Sequence, residues 1–309
     1  MAIGSDQAIK SPQVLLTGAS GQIGVFVLPR LIQAGFRIIA VSRKGRPGAF
    51  PEFEQVQWLK ETEAIEAAKK CRYLVSAGPL TLAQNFLQAC EQFESAVVFS
   101  SSSVDSKHQS PNPAERSLIQ KMVSLESELQ SLAEKRDLKL VIFRPTLIYG
   151  CGLDTNVSRL ADWIGRFGVM PVNGKAAGLR QPVHADDLAK AALTALLSKE
   201  SLPEVMHLCG GSTLSYSQMV SKVFMALGKP ARLLRLPQWL FVLLANIADT
   251  FRPNGGINGE MVRRQQLDLV FDDRQARQLL DYKPRPFDPV PADFRLPAFH
   301  KITVHAAGG

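Results

Sequence analysis

Thr17-Gly18-Ala19-Ser20-Gly21-Gln22-Ile23-Gly24 joins a short apolar run, Val14-Leu15-Leu16, to a stretch with apolar residues at Ile23, Val27, Leu28, Leu31 and Ile32. The run reads as a buried strand and the stretch as a helix that Gly35 ends. The glycines at i, i+3 and i+6 each have a physical use. The first allows a tight turn through positive φ. The second lets backbone N–H groups at a helix N-terminus approach a pyrophosphate. The third lets helix and strand pack closely. Placed in the first βα turn, the triplet reads as a dinucleotide loop in which Thr17, Gly18, Ser20, Gly21, Gln22, Ile23 and Gly24 hold the cofactor.

Working outward, Arg37 to Ser42 reads as the second strand, and it ends Val41-Ser42-Arg43-Lys44. NAD sites place an acid here for the ribose 2′-hydroxyl. Ser42, Arg43 and Lys44 instead suit a 2′-phosphate, so NADP is expected ahead of NAD. Strands at 56–59, 73–75, 96–99 and 138–143 then alternate with helices at 61–70, 81–93 and 118–136. That rhythm implies a parallel sheet covered on both faces. After Pro145 it breaks into glycine-rich loops, with a helix at 185–197, a strand at 205–208, a helix at 217–227 and a short helix at 274–280. The expected fold is α/β, a Rossmann-like doubly wound parallel sheet with a smaller C-terminal substrate-binding domain. Residues 13–150 form the NAD(P)-binding part, with 179–208 returning to the sheet. Residues 151–178 and 209–300 form the smaller part.

The 309 residues are 46% hydrophobic and 21% charged, which excludes disordered and collagen-like classes. Cys71, Cys90, Cys151 and Cys209 are scattered without metal-ligand spacing, so no metal site is expected and the thiols read as reduced. Met1 to Pro12 lacks the apolar run of a signal peptide, and the expectation is a cytoplasmic protein. Trp239 to Ala248 is apolar but short of the ~20 residues of a membrane span; it reads as a lid or a dimer surface. The formal charge of +8 favours an anionic ligand, such as a phosphorylated substrate. No basic run interleaved with aromatics points to nucleic acid.

Gly18-x-x-Gly21-x-x-Gly24 after Thr17 resembles the extended branch of the short-chain dehydrogenase/reductase superfamily, which includes NAD(P)-dependent epimerases and dehydratases. Ser76-Ala77-Gly78 resembles its segment after the fourth strand, and Val97 to Val104 its fifth strand with the catalytic serine. Phe143-Arg144-Pro145-Thr146-Leu147-Ile148-Tyr149-Gly150 is close to its "RPxxxYG" segment. Arg180 to Ala189 resembles "vHvdDlA", and Tyr282 to Phe287 resembles "GYxPRPF". The resemblance spans residues 13–290. It implies cofactor contacts at Ala77, Gly78 and Pro145, a substrate phosphate held by Arg180, and dimerisation through the helix at 118–136. A small-molecule substrate follows, sugar nucleotides being the family default.

The family's proton donor is the tyrosine of YxxxK, beside a serine that hydrogen-bonds the reacting oxygen. None of the four tyrosines (Tyr73, Tyr149, Tyr216, Tyr282) lies between Ser101 and Arg144. The nearest pattern is Ser117-Leu118-Ile119-Gln120-Lys121. Counting back from Glu126, which resembles the acid following the family lysine, puts Met122 at the lysine position instead. Three readings follow. In the first, an NAD(P)-dependent oxidoreductase or epimerase/dehydratase-like enzyme uses an altered acid, with Tyr149 as donor, Ser101 or Ser102 orienting the substrate and Lys121 touching the ribose. In the second, the protein binds NADP without turnover, as a sensor, scaffold or assembly factor. In the third, water or a substrate group supplies the proton. Asn156 is expected to face the pocket or to cap a helix. His184, Asp186 and Asp187 read as a helix N-terminus.

Overall fold

The computed structural model describes residues 11–43, 45–48, 50–237, 239–240 and 264–296. Lys44 and residues 241–248 of the apolar run lie outside them. The strands are β1 (Gln13–Thr17), β2 (Arg37–Val41), β3 (Val56–Leu59), β4 (Tyr73–Ser76), β5 (Ser95–Phe99), β6 (Lys139–Pro145), β7 (Ile148–Tyr149), β8 (Met170–Asn173), β9 (Leu179–Arg180), β10 (Val183–His184), β11 (Val205–Leu208), β12 (Leu214–Ser215) and β13 (Leu233–Leu236). The helices are α1 (Gly24–Gln33), α2 (Glu61–Ala68), α3 (Leu80–Ala89), α4 (Ser103–Ser106), α5 (Pro113–Arg136), α6 (Val157–Phe167), α7 (Ala185–Leu197), α8 (Tyr216–Ala226) and α9 (Arg274–Leu279).

Seven strands form one sheet in the order β11-β6-β5-β4-β1-β2-β3, and every pairing in it is parallel. Successive side chains on a strand point to opposite faces. Val14 and Leu16 therefore enter one core with Val25, Leu28 and Leu31 of α1 and Leu188 and Ala192 of α7. Leu15 enters the other, with Phe86 and Leu87 of α3 and Leu125 and Leu129 of α5. This double burial explains why the strands read as unbroken apolar runs. The order runs outward from β1 in both directions, so the crevice of a doubly wound sheet opens at the carboxyl ends of β1 and β4.

A third core joins α6 and α8 with β8 and Phe287. Two-stranded ladders, β13 on β8 and β12 on β9, contribute to it. Two helix boundaries differ from the expected ones by more than two residues. α5 starts at Pro113 rather than Leu118, because Asn112 caps it, accepting from the Ala114 amide at 3.0 Å and the Glu115 amide at 3.4 Å. Residues 113–117 hold no large apolar side chain, so periodicity alone did not reach them. α3 ends at Ala89, where Cys90 turns to extended backbone. Among the described residues no helix is long and apolar enough to cross a membrane.

Candidate functional site: a dinucleotide cradle and a serine turn

The carboxyl ends of β1, β2, β4, β5 and β6 lie on one edge of the sheet and carry the loops singled out by sequence. Gly18 has φ +64°, and a Cβ there would stand 2.6 Å from backbone atoms of Ala77 and Gly78. The first and fourth strand turns therefore meet backbone to backbone. A Cβ on Gly24 would stand 2.2 Å from the Gly18 carbonyl oxygen, which fixes how close α1 sits to β1. Thr17 Oγ1 and Ser76 Oγ are 2.8 Å apart in the interior, and the Ala77 amide donates to the Thr17 carbonyl at 3.1 Å.

The loop's own hydrogen bonds are few. The Gly21 amide donates to Gly18 O and the Val25 amide to Gly21 O. Among the described residues the amides of Gln22, Ile23 and Gly24 have no backbone acceptor. The first turn of α1 holds no acid and no side-chain cap. The Gln22 side-chain nitrogen is buried without a hydrogen-bond partner. Open amides at a helix N-terminus, beside an unpartnered buried donor and free of any competing carboxylate, fit the pyrophosphate of a dinucleotide. Ser20 Oγ and Ser42 Oγ, 3.2 Å apart, tie this loop to the end of β2, where Arg43 is exposed. The first acid beyond β2 is Glu52, which is paired with Arg46 at 2.7 Å.

At the end of β5 the serine run turns sharply into α4. Ser102 is buried and Ser101 partly exposed. Ser101 Oγ accepts from the Ser103 amide at 3.1 Å, while Ser100 Oγ donates to the Glu126 carboxylate. Glu126 is only 2% exposed. It is held by Arg144, through Nε at 3.3 Å and a closer Nη2 contact. Burial disfavours the Arg144 charge, but Glu126 and then Asp105 outweigh it and leave its pKa raised. This pair went unrecognised in sequence, where Glu126 served only as a register mark. The available signal was a lone acid on the inward face of a helix.

Leu118, Met122 and Glu126 share one face of α5 at i, i+4 and i+8. Leu118 is 58% exposed, and Met122 packs partly into the core beneath the sheet. Lys121, expected at the ribose, is exposed one residue off this face. The expected donor Tyr149 is 1% exposed, packed edge-on against His184 and Phe287 in the third core. Burial first, then Asp293, pushes its phenol well above the usual range. A tyrosine so placed is a poor acid for a substrate in the cleft. The other tyrosines are also committed elsewhere. Tyr282 donates to the Cys209 carbonyl at 2.8 Å, Tyr73 packs against Phe36, and burial pushes Tyr216 up to about 12 beneath Arg180.

Arg180, expected at a substrate phosphate, spends its donors on backbone carbonyls: Leu179 at 2.7 Å, Leu267 at 2.6 Å, and Arg264. It fastens residues 264–267 to β9. Burial lowers its pKa, and no carboxylate hydrogen-bonds it among the described residues. Asn156 is exposed and makes no side-chain cap. Asp154 does that work, accepting from the amides of Asn156 at 3.0 Å and Ser158 at 2.9 Å. His184 Nδ1 accepts from the Asp186 amide at 3.1 Å, a helix N-terminus as read. Pro145 is buried, and its carbonyl accepts from the Ser102 amide at 3.1 Å. No group of three or more potential metal ligands occurs among the described residues.

Residues 14–101 and 78–209 match the NAD dependent epimerase/dehydratase family in two overlapping stretches. The chain is 24% identical over 159 residues to UDP-glucose 4-epimerase of Vibrio cholerae, covering 52% of this chain and 46% of that protein. It therefore spans less than half of that relative's length. It is 27% identical over 252 residues to 2'-dehydrokanamycin reductase of Streptomyces kanamyceticus, covering 74% and 70% of the two chains. A solved UDP-glucuronic acid 4-epimerase from Bacillus cereus, in complex with UDP-glucuronic acid and NAD, superposes with a TM-score of 0.67 at 18% identity, covering 91% of this chain and 98% of that one. That last likeness concerns the Rossmann-like fold alone. From the matched stretches and the glycine cradle within them, the chain belongs to the NAD dependent epimerase/dehydratase family.

Proposed function

We propose that the protein is an NAD(P)-dependent oxidoreductase or epimerase of this family that prefers NADP. Its substrate is a sugar nucleotide or a related carbonyl or hydroxyl compound. One observation carries the reading. The glycine loop presents unpaired amides at the switch point of the sheet, and β2 is followed by Ser42 and Arg43 with no acid beside them. Thr17, Gly18, Ser20, Gly21, Gln22, Ile23 and Gly24 would hold the pyrophosphate, Ser42 and Arg43 the 2′-phosphate, and Ala77, Gly78 and Pro145 the remainder. When bound, the nicotinamide accepts or supplies hydride. Ser101 orients the substrate oxygen. With no tyrosine on α5 and Tyr149 enclosed, the proton comes from water or from the substrate itself. A small-molecule substrate suits the relatives named above, and α5, with Leu118 and Val123 exposed, offers a surface for a homodimer.

Calorimetric titration with NADPH and NADH tests this. The expected result is tighter binding of NADPH, reduced about tenfold by Arg43→Ala with NADH unaffected, the effect of one charged phosphate contact. Absence of binding by either nucleotide refutes the proposal. A second reading, nucleotide binding without turnover, is favoured by the lack of a tyrosine on α5 and by Met122 at the expected lysine position. It predicts tight NADPH binding with no hydride exchange against any carbonyl or sugar-nucleotide substrate.

A further inference from the structure

Asp105 lies on α4, directly after the serine turn, and its side chain is 36% exposed. An exposed carboxylate ordinarily moves with the solvent, and its ion pairs contribute little. This one is gripped from two strands. Oδ1 accepts from Arg144 Nη1 at 2.8 Å, and Oδ2 lies 2.9 Å from His207 Nε2. Arg144 and His207 face each other in the β6–β11 register. The His207 ring stacks on Phe271 at 5.1 Å and 21°. Phe271 is in turn held by Gln181, whose Oε1 accepts the Phe271 amide at 2.8 Å. A connected path thus runs from Gln181, just after β9, through Phe271, His207 and Asp105 to the turn that carries Ser101 and Ser102.

We propose that Asp105 and His207 are positioning residues that aim the serine turn into the cleft. The argument rests on the nucleotide-binding reading above. A dinucleotide with its pyrophosphate at the end of β1 and its adenosine toward β2 would have its nicotinamide half on the β4–β6 side of the crevice, the side on which the serine turn lies. The turn's backbone ties, Ser100 N to Phe143 O at 2.7 Å and Ser102 N to Pro145 O at 3.1 Å, set its depth. The Asp105 clamp sets its tilt, because α4 is too short to hold a direction by itself.

The test uses Asp105→Asn and His207→Phe, the second keeping the stack on Phe271 while losing the ring nitrogen. Binding of NADPH is compared with binding of 2′,5′-ADP, which has the 2′-phosphate but no nicotinamide. Amide exchange of residues 102–107 is followed in the nucleotide-free protein. Both variants should weaken NADPH about tenfold, the worth of one charged hydrogen bond, while leaving 2′,5′-ADP within about twofold and speeding exchange at 102–107. Parallel loss of both ligands would mark general loosening and overturn the proposal, as would unchanged NADPH affinity. If the unmodified protein binds neither nucleotide, the functional reading fails; unchanged exchange in the variants then overturns the positioning role separately.

Discussion

Gly24→Ala tests the packing on which the cradle depends. The added Cβ would stand 2.2 Å from Gly18 O, 2.7 Å from Ala19 Cα and 2.8 Å from Ala19 C. All three are backbone atoms, so no rotamer change relieves the contact; α1 must move away from β1. Overpacking of this kind costs about 1–3 kcal/mol. Alanine's better helix propensity recovers at most about 1 kcal/mol, and less at the first helical position. Because Val25, Val27, Leu28 and Leu31 of α1 are all buried, the displacement disturbs a whole face of the core. Gly165→Ala is the matched control. It lies in α6 with nothing within 4 Å of the new Cβ, so the same change should stabilise by about 0.5–1 kcal/mol. Urea denaturation at 25 °C reads both, and calorimetry reads NADPH affinity. The expected pattern is opposite signs, with weaker NADPH binding only in Gly24→Ala. A Gly24→Ala protein as stable as the parent would refute the close-packing argument.

Two further outcomes follow from charge and burial. Asp186 lies 2.5 Å from Arg30 and 2.8 Å from Arg285; burial opposes its charge, but the two arginines outweigh it and hold its pKa below the ordinary carboxylate value. A depressed folded pKa contributes stability above about pH 4 that is lost as pH falls through the folded value. Asp186→Asn should therefore cost about 1–3 kcal/mol between pH 5 and 7, with the gap closing in acid; a gap unchanged down to pH 3 in urea melts would contradict this. The four cysteines are all buried. Burial pushes the thiols of Cys71 and Cys209 up to about 12 and that of Cys151 to about 11, and it raises Cys90 as well. At pH 8 an aromatic disulfide reagent should react no faster than the chain unfolds, and a thiol titrating within minutes in the native protein would show otherwise.

The parts legible in sequence were those whose chemistry is local. The glycine spacing of residues 18–24, the apolar runs of the parallel strands and the missing acid after Val41 all express constraints acting within a few residues. A turn needs its glycine, and a doubly buried strand needs both faces apolar. The boundary of α5 was less legible, because a cap made by Asn112 carries no periodicity. Arg180 and Tyr149 matched a motif yet make other contacts, since a motif specifies where a residue sits on its strand and not what lies opposite; Asn156, expected at the pocket or as a cap, leaves the capping to Asp154. Only the tertiary structure supplied those neighbours: three carbonyls for Arg180, Asp154 in place of Asn156, and His184 and Phe287 around Tyr149. The same holds for Ser100, Asp105, Glu126, Arg144 and His207, in which Asp105 and His207 meet across 102 residues of chain. Hydrogen bonds and burial act over a few ångströms in space, so the sequence by itself determined the sheet and the glycine turn after β1, and only folding decided which polar side chains converge beside them.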